Sequence, residues 1–164
     1  MFANPFINFC ARIYNWFIWT GENLHSIFLL LIRIIWGHQF IYTGFGKLLN
    51  LDKVTRFFET LGVPHPEFNA VLVGVVELVC GLFILVGFAS RMAAIPLIII
   101  MVTAIGYAHS HVFHDLKFIA DPSNLVREAP FPFLMAAVII FIFGPGRISI
   151  DGWIKRVSRN WRKY

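Results

Sequence analysis

Four long apolar runs constrain the fold of this chain more than any other feature of its sequence. They cover about residues 27–46, 70–88, 92–108 and 129–146. A helix that crosses the hydrocarbon core of a bilayer needs roughly 20 residues, with a range of about 17 to 25. Lipid offers no hydrogen-bond partners to the backbone, and none of the runs alternates as a barrel strand does. The prediction is therefore an all-α integral membrane protein, an antiparallel four-helix bundle.

The flanks of these runs divide the chain into three predicted parts. Residues 1–25 form an N-terminal interfacial amphipathic segment, residues 26–152 the four-span membrane domain, and residues 153–164 a basic cytoplasmic tail. The first segment lacks the charged start and the small-residue cleavage site of a signal peptide. Its aromatic residues suit the headgroup level of a bilayer. We therefore expect amphipathic N-terminal and C-terminal flanking helices, with a fifth span as the alternative for the first segment.

The basic residues predict how the protein is oriented. Eight of them fall on the side of the C-terminal tail and five on the opposite side, and Lys and Arg are enriched on the cytoplasmic side of membrane proteins. Both termini are therefore expected in the cytoplasm. The chain after residue 146 combines six basic residues with Trp153, Ile154, Val157 and Trp161, a pattern that favours contact with anionic lipid. This bias explains the net charge of +5, so membrane lipid is an expected partner and nucleic acid is not.

Glu77 is the only charged residue in the second apolar run, on a helix face with Ala70, Gly74 and Gly81. Small residues line helix contacts in membranes, so this face is expected to point into the bundle. The first run carries a matching face, which consists of Arg33, Gly37, Phe40, Gly44 and Lys47. A buried charge is tolerated when it is paired, so Arg33 is the expected partner of Glu77, and Lys47 is the competing one. The charges either fix the helix register or line a functional polar pocket.

Several short motifs occur in an order that is similar to one known family. Arg33 in the first run is followed by the tetrapeptide Gly44-Phe45-Gly46-Lys47. The second run then contains the spaced residues Gly74, Glu77, Gly81, Leu85, Gly87 and Arg91. Glu128 precedes the fourth run, which is followed by the pattern of Gly144, Gly146, Ser149 and Asp151. Over about residues 26–152, the chain resembles the DoxX family of small four-helix membrane proteins.

The resemblance implies a bacterial or archaeal cytoplasmic (inner) membrane protein that interacts with quinone as a subunit of a redox complex. Such a complex would oxidise thiosulfate or thiols together with a soluble or membrane partner subunit, and a homo-oligomer is a further expectation. Whether this chain is itself an enzyme stays open. The alternative is a non-catalytic membrane scaffold or assembly partner with a structural polar network. The resemblance carries over a buried polar network, without a catalytic role for any member, of Arg33, Lys47, Glu77, Arg91 and Glu128.

A histidine-rich segment, residues 107–115, follows the third apolar run. If the third helix continues through it, Tyr107, His111 and His114 share one face. We expect Tyr107 and His111 to form a quinone headgroup site with Lys47 and Glu128. The carbonyl of a quinone becomes more basic as it is reduced, and histidine can supply a proton near neutral pH.

Metal chemistry and thiol chemistry are weaker expectations. His111 and His114 have a spacing that can bind zinc or another metal, but they match no established metal motif. A metal or haem is therefore not expected, and hydrogen bonds to headgroups or loop carbonyls are the alternative role. Cys10 and Cys80 belong to no C-x-x-C motif, and both are expected to be free thiols.

Overall fold

A computed structural model describes residues 5–108 and 123–161, and all regular structure within them is helical. This confirms the predicted all-α class. The helices are α1 (Pro5–Leu49), α2 (Leu51–Thr60), α3 (Pro66–Val86), α4 (Ser90–Ala108), the short α5 (Ser123–Val126), α6 (Pro130–Phe143) and α7 (Ile150–Trp161). His111 and His114 lie outside the described residues.

Three of the described helices, within α1, α3 and α4, are long and apolar enough to cross a membrane. The fourth predicted span appears as the shorter apolar helix α6, which has 14 residues and is about 21 Å long. Helix α7 is the expected C-terminal flanking helix. The chain is therefore an all-α membrane helical bundle, as the apolar runs predict.

The N-terminal segment differs from the expectation of a helix of its own. Helix α1 runs without a break for 45 residues, which corresponds to about 67 Å. Its N-terminal part is thus continuous with the first span. The physical reason is that the chain between Pro5 and Leu49 contains no proline, the residue that breaks a helix interior most strongly, whereas an interior glycine costs only about 1 kcal/mol.

Four helices form the bundle. Helix α1 packs on α3, α3 on α4, α4 on α6, and α6 again on α1. The core between them consists of residues from all four helices, among them Phe40, Ile84, Leu97, Met101 and Ile140. The two ends of the bundle are named here by the helices that lie there, the α2 end and the α7 end.

Glycines bring the backbones of α1 and α3 into direct contact. A Cβ atom on Gly44 would lie 2.6 Å from the backbone nitrogen of Leu78, and one on Gly81 would lie 2.9 Å from that of Ile41. The predicted buried face of α3 is confirmed, because Ala70, Gly74, Glu77 and Gly81 are all buried. This close antiparallel contact follows the general use of small residues at helix interfaces in membranes, and it fixes where Glu77 meets α1.

Candidate functional site

A cavity of about 520 Å³ opens at the α2 end of the bundle. It lies between α1, α2, α3, α4 and the beginning of α6. Most of its wall is apolar, with contributions from Phe57, Phe58, Leu61, Val73, Met101 and Phe133. Polar side chains interrupt this wall at only a few positions, which include Thr43, Lys47, Asn69, Glu77, Thr103 and Tyr107. Few polar groups in a concave, apolar pocket are typical of a small-molecule site.

An ion pair between Lys47 and Glu77 lies in the wall of this cavity. The Nζ atom of Lys47, in the last turn of α1, donates a hydrogen bond to Oε2 of Glu77 in the middle of α3 at 2.5 Å. The Glu77 side chain is 2% exposed and that of Lys47 is 28% exposed. A carboxylate this deeply buried needs such a partner. The lysine, by contrast, reaches the cavity with donors to spare, since an ammonium group carries three N–H bonds.

Arg33 is not the partner of Glu77, so the predicted pair is wrong and the competing one is present. The Arg33 guanidinium instead donates to four backbone carbonyl oxygens. These belong to Ile84 at 3.0 Å, Leu85 at 3.1 Å, Pro145 at 2.6 Å and Ile148 at 2.7 Å. Side chains on a helix lean towards its N-terminus, so in antiparallel helices Arg33 and Glu77 lean apart. The last carbonyls of α3 have no partners in a continuing helix, and Arg33 donates to two of them, of which that of Ile84 also accepts a hydrogen bond from the Gly87 amide.

The residues around Arg33 hold three segments of chain together at the α7 end. Gly87 ends α3 with φ +75°, and a Cβ atom there would lie 2.7 Å from Cζ of Arg33. The carboxylate of Asp151 accepts hydrogen bonds from the amides of Ala89 at 3.0 Å and Ser90 at 3.4 Å. The amide of Asp151 in turn donates to the Gly87 carbonyl oxygen. The glycine and aspartate of the sequence motifs therefore have a structural role here.

The predicted network of five polar residues divides between the two ends of the bundle. Lys47 and Glu77 lie at the α2 end, whereas Arg33 and Arg91 lie at the α7 end. Arg91 is exposed and not buried as predicted, because it lies at the start of α4, where its Nη2 donates to the carbonyl oxygen of Ile142 at 3.1 Å. Glu128 is half-buried just before α6. It is not among the residues that line the cavity, although its neighbours Ala129 and Pro130 are.

Two of the four residues of the predicted quinone site line the same cavity. Lys47 and Tyr107 line one cavity, to which Glu128 is adjacent in the chain, and His111 lies outside the described residues. Three polar residues of the wall, Thr43, Asn69 and Thr103, do not belong to the sequence motifs. Their positions could have indicated them, since Thr43 and Thr103 lie one helical turn before Lys47 and Tyr107, and Asn69 lies two turns before Glu77.

The two cysteines lie on different helices and do not form one site. Both are free thiols; Cys10 is exposed near the start of α1, and Cys80 is half-buried in α3. Among the residues that the structure describes, no group of three or more His, Cys, Asp or Glu side chains is placed to hold a metal ion. The cavity with its ion pair is thus the candidate site that the geometry supports.

Comparison with known proteins identifies the family. The family model for DoxX matches residues 28–110, which is half of the chain. The chain belongs to the DoxX family. It is 34% identical over 136 residues to "Uncharacterized membrane protein Rv3486" of Mycobacterium tuberculosis (strain ATCC 25618 / H37Rv), covering 80% of this chain and 82% of that protein.

Two further relatives have lower sequence identity to the chain. "Inner membrane protein YphA" of Escherichia coli (strain K12) is 29% identical over 76% of this chain and 89% of its own length. "Putative oxidoreductase CatD" of Bacillus subtilis (strain 168) is 29% identical over 80% of this chain and 90% of its own length. No solved structure matches the chain. The protein is therefore a DoxX-family membrane protein.

Proposed function

We propose that the protein binds the headgroup of a membrane quinone in the cavity at the α2 end, as a membrane subunit of a complex that oxidises thiosulfate or thiols. The observation that carries the proposal is the Lys47–Glu77 ion pair in the wall of an otherwise apolar cavity. The pair places a charged hydrogen-bond donor, Nζ of Lys47, where a ligand in the cavity can contact it. The similarity to "Putative oxidoreductase CatD" of Bacillus subtilis also supports a redox role.

The residues of the cavity fit a quinone. Its volume of about 520 Å³ lies within the range of roughly 300–1,000 Å³ that is usual for small-molecule sites. The apolar wall suits a flat ring and an isoprenoid chain. The oxygens of a quinone accept hydrogen bonds, and the cavity offers donors at Nζ of Lys47 and at the hydroxyl group of Tyr107. The two donors lie on different helices, α1 and α4, so they would orient the ring between them.

A bound quinone supplies two-electron, two-proton redox chemistry. The protein's contribution is to bind the headgroup and to handle protons. The positive charge of Lys47 favours negative charge on an oxygen placed against it, and such electrostatic stabilisation is strong in an apolar surrounding. Oε2 of Glu77, 2.5 Å from Nζ of Lys47, can hold a proton that passes through the lysine. The apolar aromatic side chains of α2 and α6 exclude water from this exchange.

The electrons are proposed to come from a partner subunit. Cys10 and Cys80 lie on different helices and are not bonded to each other, so they do not form a dithiol pair for exchange with a substrate. A soluble or membrane partner that oxidises thiosulfate or thiols would therefore deliver electrons to the quinone at the cavity. The membrane subunit would supply the quinone site and the proton path.

A second candidate is a non-catalytic membrane scaffold, and the Arg33 network favours it. All four hydrogen bonds of this buried guanidinium go to backbone carbonyls, so it joins α1, α3 and the segment between α6 and α7 without facing the cavity. This network explains stability at the α7 end. It does not account for the Lys47–Glu77 pair at the α2 end, which is why quinone binding is preferred.

Binding of a short-chain quinone analogue to the purified protein in detergent tests the proposal. Lys47→Met should weaken binding by roughly 10- to 150-fold, because a hydrogen bond to a charged group contributes about 1.5–3 kcal/mol. Tyr107→Phe removes only a hydroxyl group and should weaken binding by about fivefold. Lys53→Met is the matched control, since Lys53 is exposed on α2 and does not line the cavity.

The controls separate the two candidate functions. If wild type binds the analogue and Lys47→Met and Tyr107→Phe bind it equally well, the headgroup does not occupy this cavity. If the folded wild-type protein binds no quinone analogue, the scaffold function replaces the quinone function. The Tyr107 variant guards against a loss of binding that merely reflects a destabilised ion pair.

A further inference from the structure

The α7 end of the bundle carries a second groove that the proposed function does not use. Its volume is about 380 Å³. It lies between the beginning of α4, the segment that follows α6, and the first turns of α7. Two basic side chains border it, Arg91 from α4 and Lys155 from α7, together with the apolar side chains of Met92 and Phe143.

The two basic residues have donors available for a ligand. Arg91 donates through Nη2 to the carbonyl oxygen of Ile142 at 3.1 Å, which uses one of the five N–H bonds of a guanidinium group. A Cβ atom on Gly144, at φ +77°, would lie 3.0 Å from Nε of Arg91, so the guanidinium lies against this turn. In the part of the chain that the structure describes, neither Arg91 nor Lys155 has a carboxylate partner. Lys155 is exposed.

One acidic residue, Asp151, also lines the groove, but its oxygens are engaged. They accept hydrogen bonds from the amides of Ala89 and Ser90 at 3.0 and 3.4 Å, at the beginning of α4. Further positive charge lies nearby, since Arg147 and Arg156 are exposed on the same end of the molecule. The groove therefore attracts anions despite the aspartate.

We propose that this groove binds the phosphate headgroup of an anionic membrane phospholipid. Arg91 and Lys155 would hold the phosphate from its two sides, as charge-assisted hydrogen bonds favour. Met92 is 69% exposed and Phe143 is 55% exposed, and they offer an apolar surface for the acyl chains beside the headgroup. A free phosphate ion would gain nothing from these two side chains, so the source of the anion is a lipid.

Helix α7 gives this site a surface that matches the membrane. Its exposed apolar residues recur at helical spacing on one face and include Ile150, Trp153, Ile154 and Val157. A helix with an apolar face and basic residues on its polar face lies in the plane of a membrane interface. The same helix supplies Lys155 to the groove. A lipid headgroup bound there would therefore fasten α7 to the bilayer beside the bundle.

Native mass spectrometry of the full chain in detergent tests the lipid site. The probes are phosphatidylglycerol, phosphatidylcholine and inorganic phosphate, each added to delipidated protein. Wild type should retain phosphatidylglycerol in preference to phosphatidylcholine. Arg91→Gln and Lys155→Gln should each weaken this binding about fivefold, and roughly 25-fold together, because each basic side chain near an anionic surface contributes about 1 kcal/mol.

Arg56→Gln and Lys53→Gln are the matched controls, since both residues are exposed on α2 at the opposite end. They should leave phosphatidylglycerol binding unchanged. Equal retention of the two lipids, or unchanged binding in both groove variants, would overturn the proposal. Displacement of phosphatidylglycerol by millimolar inorganic phosphate would also overturn it, since the groove would then recognise the free anion. Should Arg91→Gln fail to fold, Lys155→Gln alone decides, because its exposed side chain makes no bond within the described chain.

Discussion

Replacing Gly44 by alanine tests the close contact between α1 and α3 on which the candidate site depends. The new methyl group would lie 2.6 Å from the amide nitrogen of Leu78 and 2.8 Å from the carbonyl oxygen of Gly74. Both atoms belong to the backbone, so neither can turn away. An ordinary van der Waals contact begins at about 3.4 Å, so the two helices must separate by roughly 0.8 Å. A gap of this size removes about a quarter to a half of the dispersion attraction between the facing atoms.

We expect Gly44→Ala to lower the free energy of unfolding by about 1–3 kcal/mol, the usual cost of overpacking. Gly46→Ala is the matched control, because Gly46 lies on the same helix with open space around it. Alanine is a better helix former there by about 1 kcal/mol, so the control should be neutral or stabilising. Thermal unfolding in one detergent at one pH compares the two variants. Equal effects of the same sign would refute the described contact between the helices.

Three further predictions concern the polar networks at the two ends. Lys47→Met should lower the free energy of unfolding by about 3 kcal/mol. The double variant with Glu77→Leu should recover part of this loss, since removal of both partners leaves no unpaired buried charge. Additive losses of the two single variants in thermal unfolding would count against the pair. Arg33→Leu and Glu77→Leu should be additive in the same assay, because their networks are separate, and coupling between them would contradict the described bonds. Ser149→Ala should cost about 1 kcal/mol, because Oγ of Ser149 accepts the Gly152 amide at 2.9 Å as the cap of α7; an unchanged midpoint would show that the cap contributes nothing.

The sequence predicts those features of the fold that follow from the surrounding lipid and from the spacing of residues along a helix. Long apolar runs can only be helices in lipid, and helical spacing assigns Glu77 to the face of Gly74 and Gly81. Glycine at these positions also indicates close helix contact. These inferences need no knowledge of the tertiary structure, because each follows from the local pattern and from the medium.

The partner of Glu77 could not be predicted in the same way. Arg33 and Lys47 lie on one face of α1, and spacing alone does not show which of them reaches the depth of Glu77. The choice depends on the antiparallel register and on how the side chains lean. The Arg33 side chain also binds at a different place, because the end of α3 and the residues after α6 offer it four carbonyl oxygens. No sequence pattern shows carbonyl groups that only the tertiary fold brings together.

The cavity itself could not be predicted from the sequence either. It exists because α2 folds back across the end of the bundle and places Phe57 and Phe58 in one wall, a position that its amphipathic pattern does not specify. Likewise, the aromatic start of α1 fits both a separate interfacial helix and a continuation of the first span. Local pattern fixes which residues are helical in such cases, while packing fixes the direction of the helix.

Photoaffinity labelling with an azido-quinone in native-like membranes reports directly where the quinone headgroup lies. If the headgroup binds in the cavity, adducts should form on peptides that line it, from residues 43–47, 57–64 and 100–108. Excess unlabelled quinone should suppress them, and Lys47→Met should reduce them while Lys53→Met does not. Labelling that is spread over the lipid-facing surface and is insensitive to competing quinone would show that quinone does not bind in this cavity, as would adducts confined to the α7 end.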